Sequence, residues 1–417
     1  MSRYYLECMI CGEIYIPGEV EYVCPDHGNH GTLDVVYDYD HLSHSVNRSG
    51  LEGESMWRYR ALLPVLPHPA LPPLRIGWTP LLAVPALAVE AGVATLWIKD
   101  ETGQPTGSLK DRASAMAVVK AGESGARVIT TASTGNAAAA LAGVAASVGG
   151  DSVIFVPATA PEAKVAQLLA YGSRVLLVDG SYDRAVDLCL EVGRRRGWYN
   201  RTTGYNPYMT EGKKTVAYEI AEQLGWQVPD AIVVPVGDGC IIGAVYKGFY
   251  DLREMGWLES MPRLIGVQAE GSAYLAEAWR NGENMVSKPA IEAVTVADSI
   301  AAGLPRDRFK AMRAVTGSDG VFVTVGDSEI LAAIPAVAAR SGVFLEPAAA
   351  AAWAGLLRAH ETGVIGPRDR VVMLGTGNGL KDIPAAMRAV TEAGISPLRV
   401  PAEVDAVERA VGELVPS

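Results

Sequence analysis

The amino-acid sequence predicts an α/β protein in which helices cover both faces of mostly parallel sheets. Segments with helical periodicity, such as 217–225 and 328–342, alternate with short apolar runs, and this alternation is typical of the α/β class. The apolar runs are rich in β-branched residues, as buried parallel strands require. We predict strands at 95–100, 127–133, 152–157, 174–180, 231–237, 263–268, 321–326 and 370–377.

Length and composition predict a globular enzyme of two or three domains. The chain has 417 residues, of which 49% are hydrophobic and 20% charged. With a net charge of −11, and with the run Arg194–Arg196 interpreted as a solvated helix face, no nucleic-acid partner is expected. Polar residues interrupt any signal peptide, and the alanine-rich stretches 137–148 and 348–357 are too short to span a membrane. We expect a soluble cytoplasmic protein without a membrane partner.

The first 45 residues resemble a zinc ribbon. Short β-type runs at 13–16 and 19–23 separate two knuckles, a CxxC pair and a CxxH pair, formed by Cys8, Cys11, Cys24 and His27. Such a four-ligand set is typical of a structural zinc site, which leaves no open position for chemistry. His30 is an alternative fourth ligand, and an incidental, reduced CxxC pair is the alternative interpretation. Residues 45–75 are predicted to be a linker, because their prolines prevent regular structure.

Four predicted strand ends have small or polar loops, and ligands of open parallel sheets bind at this edge. The first loop, PTGSLKDR, places Lys110 at a helix start, where the helix dipole disfavours a cation. The second, 133–136, has backbone N–H groups suited to a carboxylate, although ordinary N-capping is the alternative. The third, 237–241, is a glycine-rich turn that suits a phosphate but does not fit the dinucleotide-binding pattern, and EGKKT (211–215) does not fit the P-loop pattern. The fourth places Thr376 just beyond a strand.

Together the four loops describe a pyridoxal 5′-phosphate site. Such a site needs a lysine to bond the cofactor aldehyde, a loop for one phosphate, an amide for the ring oxygen and a hydroxyl for the ring nitrogen. A lysine in a dry pocket has a lowered pKa, and the neutral amine is the form that bonds an aldehyde. This chemistry explains the position of Lys110, for which a surface lysine is the alternative interpretation.

The chain resembles fold-type II pyridoxal-phosphate enzymes, and most closely threonine synthases. The matching motifs are PTGSLKDR (105–112), ASTGN (132–136), VPVGDG (234–239), GVQAEG (266–271), EPAAAA (346–351) and GTGNGLKD (375–382). The segment MWRYRALLP (56–64), after the ribbon-like segment, resembles one branch of the group. The resemblance implies two three-layer αβα domains and commonly a homodimer. The implied division is a zinc-ribbon-like segment 1–45, a large cofactor-binding domain 46–112 and 206–417, and a small mobile domain 113–205.

The resemblance also implies roles for the candidate residues. Lys110 would hold the cofactor and serve as the acid–base group, Asn136 would bond the ring oxygen, and Thr376 would face the ring nitrogen. The cofactor phosphate would lie on Gly237, Asp238, Gly239, Cys240 and Ile241. The substrate would be bound by Ser133, Thr134, Gly135, Asn206 and Lys213.

Four positions depart from the pattern that the resemblance implies around a substrate phosphate. A threonine, a serine, an arginine and an asparagine are replaced here by Ala137, Gly204, Met209 and Asp238. A bidentate arginine binds phosphate strongly, and a carboxylate repels it. Lys213 and Lys164 are candidates to compensate in part.

The expected function is elimination or replacement on an amino acid by a lyase similar to threonine synthase. The substrate is O-phosphohomoserine or, in view of the four departures, an amino acid with a non-phosphate leaving group. The alternatives are β-replacement on a serine derivative, as in cysteate or cysteine synthases, and dehydration of a hydroxy amino acid. A cofactor-binding regulator without activity is the non-enzyme alternative, and the presence of Lys110 argues against it.

Overall fold

The computed structural model describes residues 3–160 and 162–414. Its strands are β1 Tyr4–Cys8, β2 Ile14–Tyr15, β3 Leu33–Tyr37, β4 Leu81–Ala83, β5 Thr95–Asp100, β6 Val128–Ala132, β7 Asp151–Pro157, β8 Arg174–Val178, β9 Tyr199–Asn200, β10 Ala231–Pro235, β11 Arg263–Ala269, β12 Val321–Val325 and β13 Arg370–Gly375. Its α-helices are α1 Tyr39–Ser45, α2 Pro85–Glu90, α3 Lys110–Glu123, α4 Asn136–Ser147, α5 Glu162–Ala170, α6 Tyr182–Arg196, α7 Tyr208–Lys213, α8 Thr215–Gln223, α9 Cys240–Glu254, α10 Tyr274–Asn281, α11 Arg308–Gly317, α12 Asp327–Ser341, α13 Pro347–Glu361, α14 Ile383–Glu392 and α15 Val404–Leu414. In these two ranges no helix combines the length and the apolar character that crossing a membrane requires.

Two sheets form the body of the protein, and they confirm the predicted α/β class. One has six strands in the order β12-β11-β10-β13-β5-β4, parallel except for the edge strand β4. The other has four parallel strands in the order β8-β7-β6-β9. Each of the eight strands predicted between residues 95 and 377 is present, with ends that differ from the prediction by at most two residues.

The central strand β10 shows why a strand covered on both faces is continuously apolar. All five of its residues are buried. Ile232 and Val234 pack into the core that includes α9, whereas Ala231 and Val233 pack into the core that includes α13. Because both faces of the strand are covered, its sequence does not alternate between apolar and polar residues.

The N-terminal residues form a three-stranded antiparallel sheet, in the order β2-β1-β3, that contacts both larger sheet regions. The Tyr22 hydroxyl accepts a hydrogen bond from the backbone N–H of Asn200 in β9, at 3.0 Å. Thr32 Oγ1 donates to the backbone oxygen of Arg306, at 3.3 Å. The predicted run 13–16 is reduced to β2, and the strand predicted at 19–23 is wrong, since only isolated bridges occur there.

The segment 45–75 is not a free linker. It contains the 3₁₀ turns Arg48–Gly50 and Met56–Leu62, and the side chains of Trp57 and Tyr59 are buried in the core. The Tyr59 hydroxyl also donates to Glu222, at 2.6 Å. The prolines exclude an α-helix, but the apolar residues before them still supply enough buried surface to fix the segment.

Candidate active site

Lys110 is the first residue of α3 and lines a cavity of about 1020 Å³. The turn before it is tied to the loop after β13, because Leu109 N–H donates to the backbone oxygen of Thr376 at 3.0 Å. The backbone N–H of Asn378 donates to Gly107 at the same distance. Two of the predicted loops therefore meet at the carboxyl edge of the six-stranded sheet.

The surroundings of Lys110 favour its neutral amine. Burial lowers its pKa from the usual value, and the positive charges of Lys213 and Arg201 lower it further, while Glu346 opposes them. A protonated Lys110 would place a positive charge at the start of α3, where the helix dipole disfavours it. The lowered pKa of Lys110 therefore also reduces this unfavourable interaction.

The cavity brings together most of the predicted site residues. Its walls include Lys110, Ser133, Thr134, Gly135, Asn136, Gly237, Asp238, Gly239, Cys240, Ile241 and Thr376. These residues come from the carboxyl ends of β5, β6, β10 and β13, as the prediction from parallel-sheet topology requires.

Asn206 and Lys213 are not among the residues that line this cavity, and their expected contact with the substrate stays a prediction. Asn206 is buried, its amide donates to the backbone oxygen of Asn200 at 2.8 Å, and its side-chain oxygen accepts from Tyr208 N–H at 3.0 Å. Lys213 is fully buried and donates to Thr203 Oγ1 at 3.4 Å. Both side chains therefore lie behind the wall.

The loop 237–241 has the geometry of an anion site. Gly239 has φ +89°, a backbone conformation that is unfavourable for residues with a side chain. It precedes Cys240, the first residue of the 15-residue helix α9. The N-terminal N–H groups of such a helix favour a negative ligand. Lys213 lies close enough to oppose the rise in the pKa of the Cys240 thiol caused by burial. In the described chain Lys213 makes no salt bridge with a carboxylate, so its buried amine lies beside this helix start without an acidic partner.

Sequence reasoning missed Glu346, a buried residue of the same cavity. The Asn136 amide nitrogen donates to its two carboxylate oxygens, at 2.8 and 2.9 Å. Burial raises the pKa of Glu346, and the nearby Lys110 opposes that rise. A signal was present, since Glu346 begins the EPAAAA motif, directly before α13. The hydrogen bond from Asn136 to Glu346 joins α4, beside the four-stranded sheet, to the residue directly before α13.

Comparison with known proteins identifies the family. A sequence model described as "Pyridoxal-phosphate dependent enzyme" matches residues 73–377. The chain belongs to this family. It is 36% identical to a threonine synthase of Methanocaldococcus jannaschii over 410 residues, which are 98% of this chain and 99% of that protein. It is 39% identical to a threonine synthase of Methanosarcina acetivorans over 409 residues, 98% of each chain.

A solved structure supports the same fold assignment. The processed form of threonine deaminase isoform 2 from Solanum lycopersicum superposes with a TM-score of 0.66 at 25% identity, over 76% of this chain and 83% of that chain. The cavity of this pyridoxal-phosphate enzyme fits its cofactor. It combines an amine of lowered pKa at Lys110 with the start of α9, beside the buried side chain of Lys213.

The protein also has the predicted Cys/His cluster near its N-terminus. The ligand atoms of Cys8, Cys11, Cys24 and His27 all lie within 4.8 Å of one another. His27 Nε2 is buried and has no hydrogen-bond partner in the described chain. His30 is outside this cluster and instead lines the large cavity. The donor set suits a tetrahedral Zn²⁺.

Proposed function

We propose that the enzyme converts O-phospho-L-homoserine and water into L-threonine and inorganic phosphate. The observation that supports this most directly is the similarity to threonine synthases over 98% of the chain, which includes the cavity with Lys110. Bound pyridoxal phosphate supplies an electron sink for bond breaking next to the amino group. The chain itself supplies position, charge and a proton acceptor.

Lys110 holds the cofactor in this proposal and exchanges protons with the substrate through Nζ. Burial and the charges of Lys213 and Arg201 favour the neutral amine, which is the form that accepts a proton from the α-carbon. Asn136 and Thr376 are proposed to orient the ring, and the loop 237–241 is proposed to hold the cofactor phosphate on the α9 helix start.

The substrate carboxylate is proposed to bind at Ser133, Thr134 and Gly135. These residues precede the 12-residue helix α4 and line the same cavity as Lys110. Backbone N–H groups at a helix start favour a carboxylate without requiring a cationic side chain. The carboxylate would then be held by a different helix start from the one proposed for the cofactor phosphate.

The decisive experiment combines spectra with product analysis. We expect a yellow purified protein whose spectrum shifts with O-phosphohomoserine and which forms threonine and phosphate in equal amounts. Lys110→Ala should lose the colour and the activity, whereas Lys120→Ala on the same helix should keep both. A yellow protein that acts only on unphosphorylated amino acids would refute the substrate assignment. A protein that stays colourless after incubation with the cofactor would refute the role of Lys110.

We also propose that Cys8, Cys11, Cys24 and His27 bind one structural zinc ion. The support is the mutual proximity of their ligand atoms and the buried His27 Nε2 without a hydrogen-bond partner in the described residues. Cys and His ligands in this number favour zinc in a closed site. His27, rather than His30, is the proposed fourth ligand.

The proposed domain division keeps the boundaries that the sequence predicts. The four strands β6 to β9 lie within the proposed mobile domain 113–205, and the six strands of the larger sheet lie outside it. The cavity is lined by residues from both ranges. We further propose a homodimer, supported by the exposed apolar side chains Leu380, Ile383 and Met387 on one stretch of the chain.

A further inference from the structure

The cavity wall includes two arginines that none of the roles above uses. Arg306 lies in the loop before α11, and Arg308 is the first residue of that helix. Within the described residues, the Arg306 guanidinium makes no hydrogen bond and no ion pair. Arg308 is buried and donates to the backbone oxygens of Met285 and Pro305, at 2.8 and 3.2 Å, but pairs with no described carboxylate. Two arginines without a carboxylate partner among the described residues therefore line one cavity.

Two of the unusual residues hold the Arg306 loop in place. Gly204 has φ +73°, and a Cβ atom at this position would overlap the Arg306 side chain. The Asp238 carboxylate accepts a hydrogen bond from Arg306 N–H at 3.2 Å, and its backbone oxygen accepts from Asp307 N–H at 2.9 Å. A serine at position 204 would push the loop away, and Asp238 ties it to the loop 237–241. Gly204 and Asp238, two of the residues that depart from the pattern, therefore both favour the position of Arg306 in the cavity wall.

The other cations near the cavity are paired with an acidic residue, buried behind the wall or bonded to hydroxyl groups. Lys164 pairs with Asp298 at 2.6 Å, so it does not supply a free charge. Lys213 is buried behind the wall beside Cys240. Arg201 is buried and donates to Ser114 and Thr203. Lys164 and Lys213, the candidates from the sequence for partial compensation, are thus poorly placed to bind a second anion.

We propose that Arg306, with Arg308 beside it, binds the terminal phosphate of the amino-acid substrate. This assignment rests on the proposed function and names the group that replaces the arginine missing at Met209, which is itself buried in the core. A guanidinium binds a phosphate dianion through two parallel hydrogen bonds. The pKa of His30, which lines the same cavity, is lowered by partial burial and by Arg308 and Arg306, as a positively charged corner requires.

The test compares two unreactive ligands that differ only in the terminal anion. L-2-amino-5-phosphonopentanoate has a phosphonate where the substrate has a phosphate, and L-norvaline ends in a methyl group. Both are titrated into the cofactor-loaded protein, and binding is read from the visible absorbance. The variants are Arg306→Gln, Arg306→Lys, and Arg280→Gln as the matched control, because Arg280 is an exposed arginine at the end of α10.

The wild type should bind the phosphonate at least about tenfold more tightly than L-norvaline. Arg306→Gln should weaken phosphonate binding about 10- to 100-fold and leave norvaline binding within about twofold, because hydrogen bonds to charged groups are lost only with the first ligand. Arg306→Lys should fall between, since a lysine keeps the charge but not the two-point contact. Arg280→Gln should match the wild type.

Three results would overturn the assignment. In the first, the wild type shows no preference for the phosphonate. In the second, the Arg306→Gln protein keeps that preference. In the third, the Arg306→Gln protein loses affinity for L-norvaline or for the cofactor as much as for the phosphonate. The last result would mean that Arg306 supports the fold or the cofactor phosphate. The proposed function is judged separately by threonine formation. A protein that binds the phosphonate through Arg306 but forms no threonine contradicts the function and supports the arginine.

Discussion

At the scale of residues, the neighbours of Lys110 anchor the start of α3 away from the cavity. Arg112 is buried and pairs with Glu101 at 2.7 Å and with Glu219 at 2.5 Å. Glu219 also pairs with the buried Lys99, at 2.8 Å. Despite burial, Arg112 and Lys99 hold the pKa of Glu219 at about 2. The buried charges are thus mutually compensated, which fixes the turn that presents Lys110.

Replacing Glu219 by Gln should destabilise the protein by about 3–5 kcal/mol at pH 7, because the buried cations Arg112 and Lys99 lose a carboxylate partner. The stabilisation exists above the carboxyl pKa of the unfolded chain and is lost as the pH falls through about 2. Urea unfolding of the cofactor-loaded proteins measures the effect. Glu392→Gln, which breaks a surface pair with Arg388, should cost less than about 1 kcal/mol. Equal losses in both variants would contradict the argument.

Asp111 should give a pH dependence of opposite sign. Burial raises its pKa to about 6, although Thr106 donates to its carboxylate. The pKa of Asp111 in the folded protein lies above its unfolded value of 3.8. The contribution of this carboxyl group to the free energy of unfolding is therefore largest below about pH 4 and is lost as the pH rises to about 6. Relative to Asp111→Asn, the wild type should lose up to about 3 kcal/mol over this window. Thermal unfolding at pH 4 and pH 7 measures it, and a pH-independent difference would exclude it.

Asp238 should act against the substrate phosphate even though it positions Arg306. An asparagine at 238 keeps an oxygen that can accept from Arg306 N–H but removes the negative charge. Repulsion of about 1 kcal/mol across a polar site corresponds to about fivefold in affinity. Asp238→Asn should therefore lower the KM for O-phosphohomoserine about fivefold and leave L-norvaline binding unchanged. An unchanged KM would contradict the predicted repulsion, and a higher KM would show that the carboxylate is needed to position the loop.

The sequence predicts a site residue well where the residue follows its own strand. Lys110, Asn136 and Thr376 are of this kind, since the parallel topology alone brings strand ends together. Arg306 is different, because its approach depends on Gly204 and on a loop that contains no strand. Glu346 was overlooked because its partner Asn136 is 210 residues away. Such contacts follow from packing, which local patterns do not encode.

At the scale of elements, the ribbon-like sheet β1 to β3 is fixed both by its proposed metal site and by its contacts. Asp34 in β3 pairs with Arg313 in α11, and it lies 3.8 Å from Lys310 of the same helix. Burial and these cations act in opposite directions, and the cations prevail, so the pKa of Asp34 is lowered. The ribbon is therefore part of the main body and not an appended module.

Cys8→Ser should remove the zinc and lower the thermal midpoint by several degrees, because a structural metal contributes directly to folding. Elemental analysis should find one zinc per wild-type chain and almost none in the variant. Cys189→Ala changes a buried cysteine outside the cluster and should keep the metal. A wild-type protein purified without chelators that contains no zinc would contradict the metal proposal.

How well the sequence predicts a strand depends on the length of the strand. The strands of five or more residues in the two large sheets are rich in apolar and β-branched residues, so the sequence identifies them. The strands β4 and β9 have only three and two residues, too few for any periodicity, and they exist because a neighbouring strand provides hydrogen bonds. The run 19–23 has β-type residues but lacks a partner strand along its length.

At the scale of the whole molecule, exposed apolar residues near the C-terminal part predict self-association. Leu380, Ile383 and Met387 are exposed on the turn before α14 and on α14 itself. Light scattering should give about twice the chain mass of 44.0 kDa. Met387→Glu should yield monomers, whereas Val89→Glu, at an exposed apolar position on α2, should not. A monomeric wild type at micromolar concentration would refute the dimer.

The bonds from the ribbon to the rest of the chain also have a consequence for biosynthesis. Thr32 and its partner Arg306 are separated by 274 residues, and Asp34 and Arg313 by 279. At about 5–20 residues per second, a ribosome needs roughly 15 to 55 s between making the two sides of these contacts. During that time the ribbon has no docking surface on α11. A metal ion bound early by its four ligands would keep the ribbon of the nascent chain folded until α11 has been synthesised.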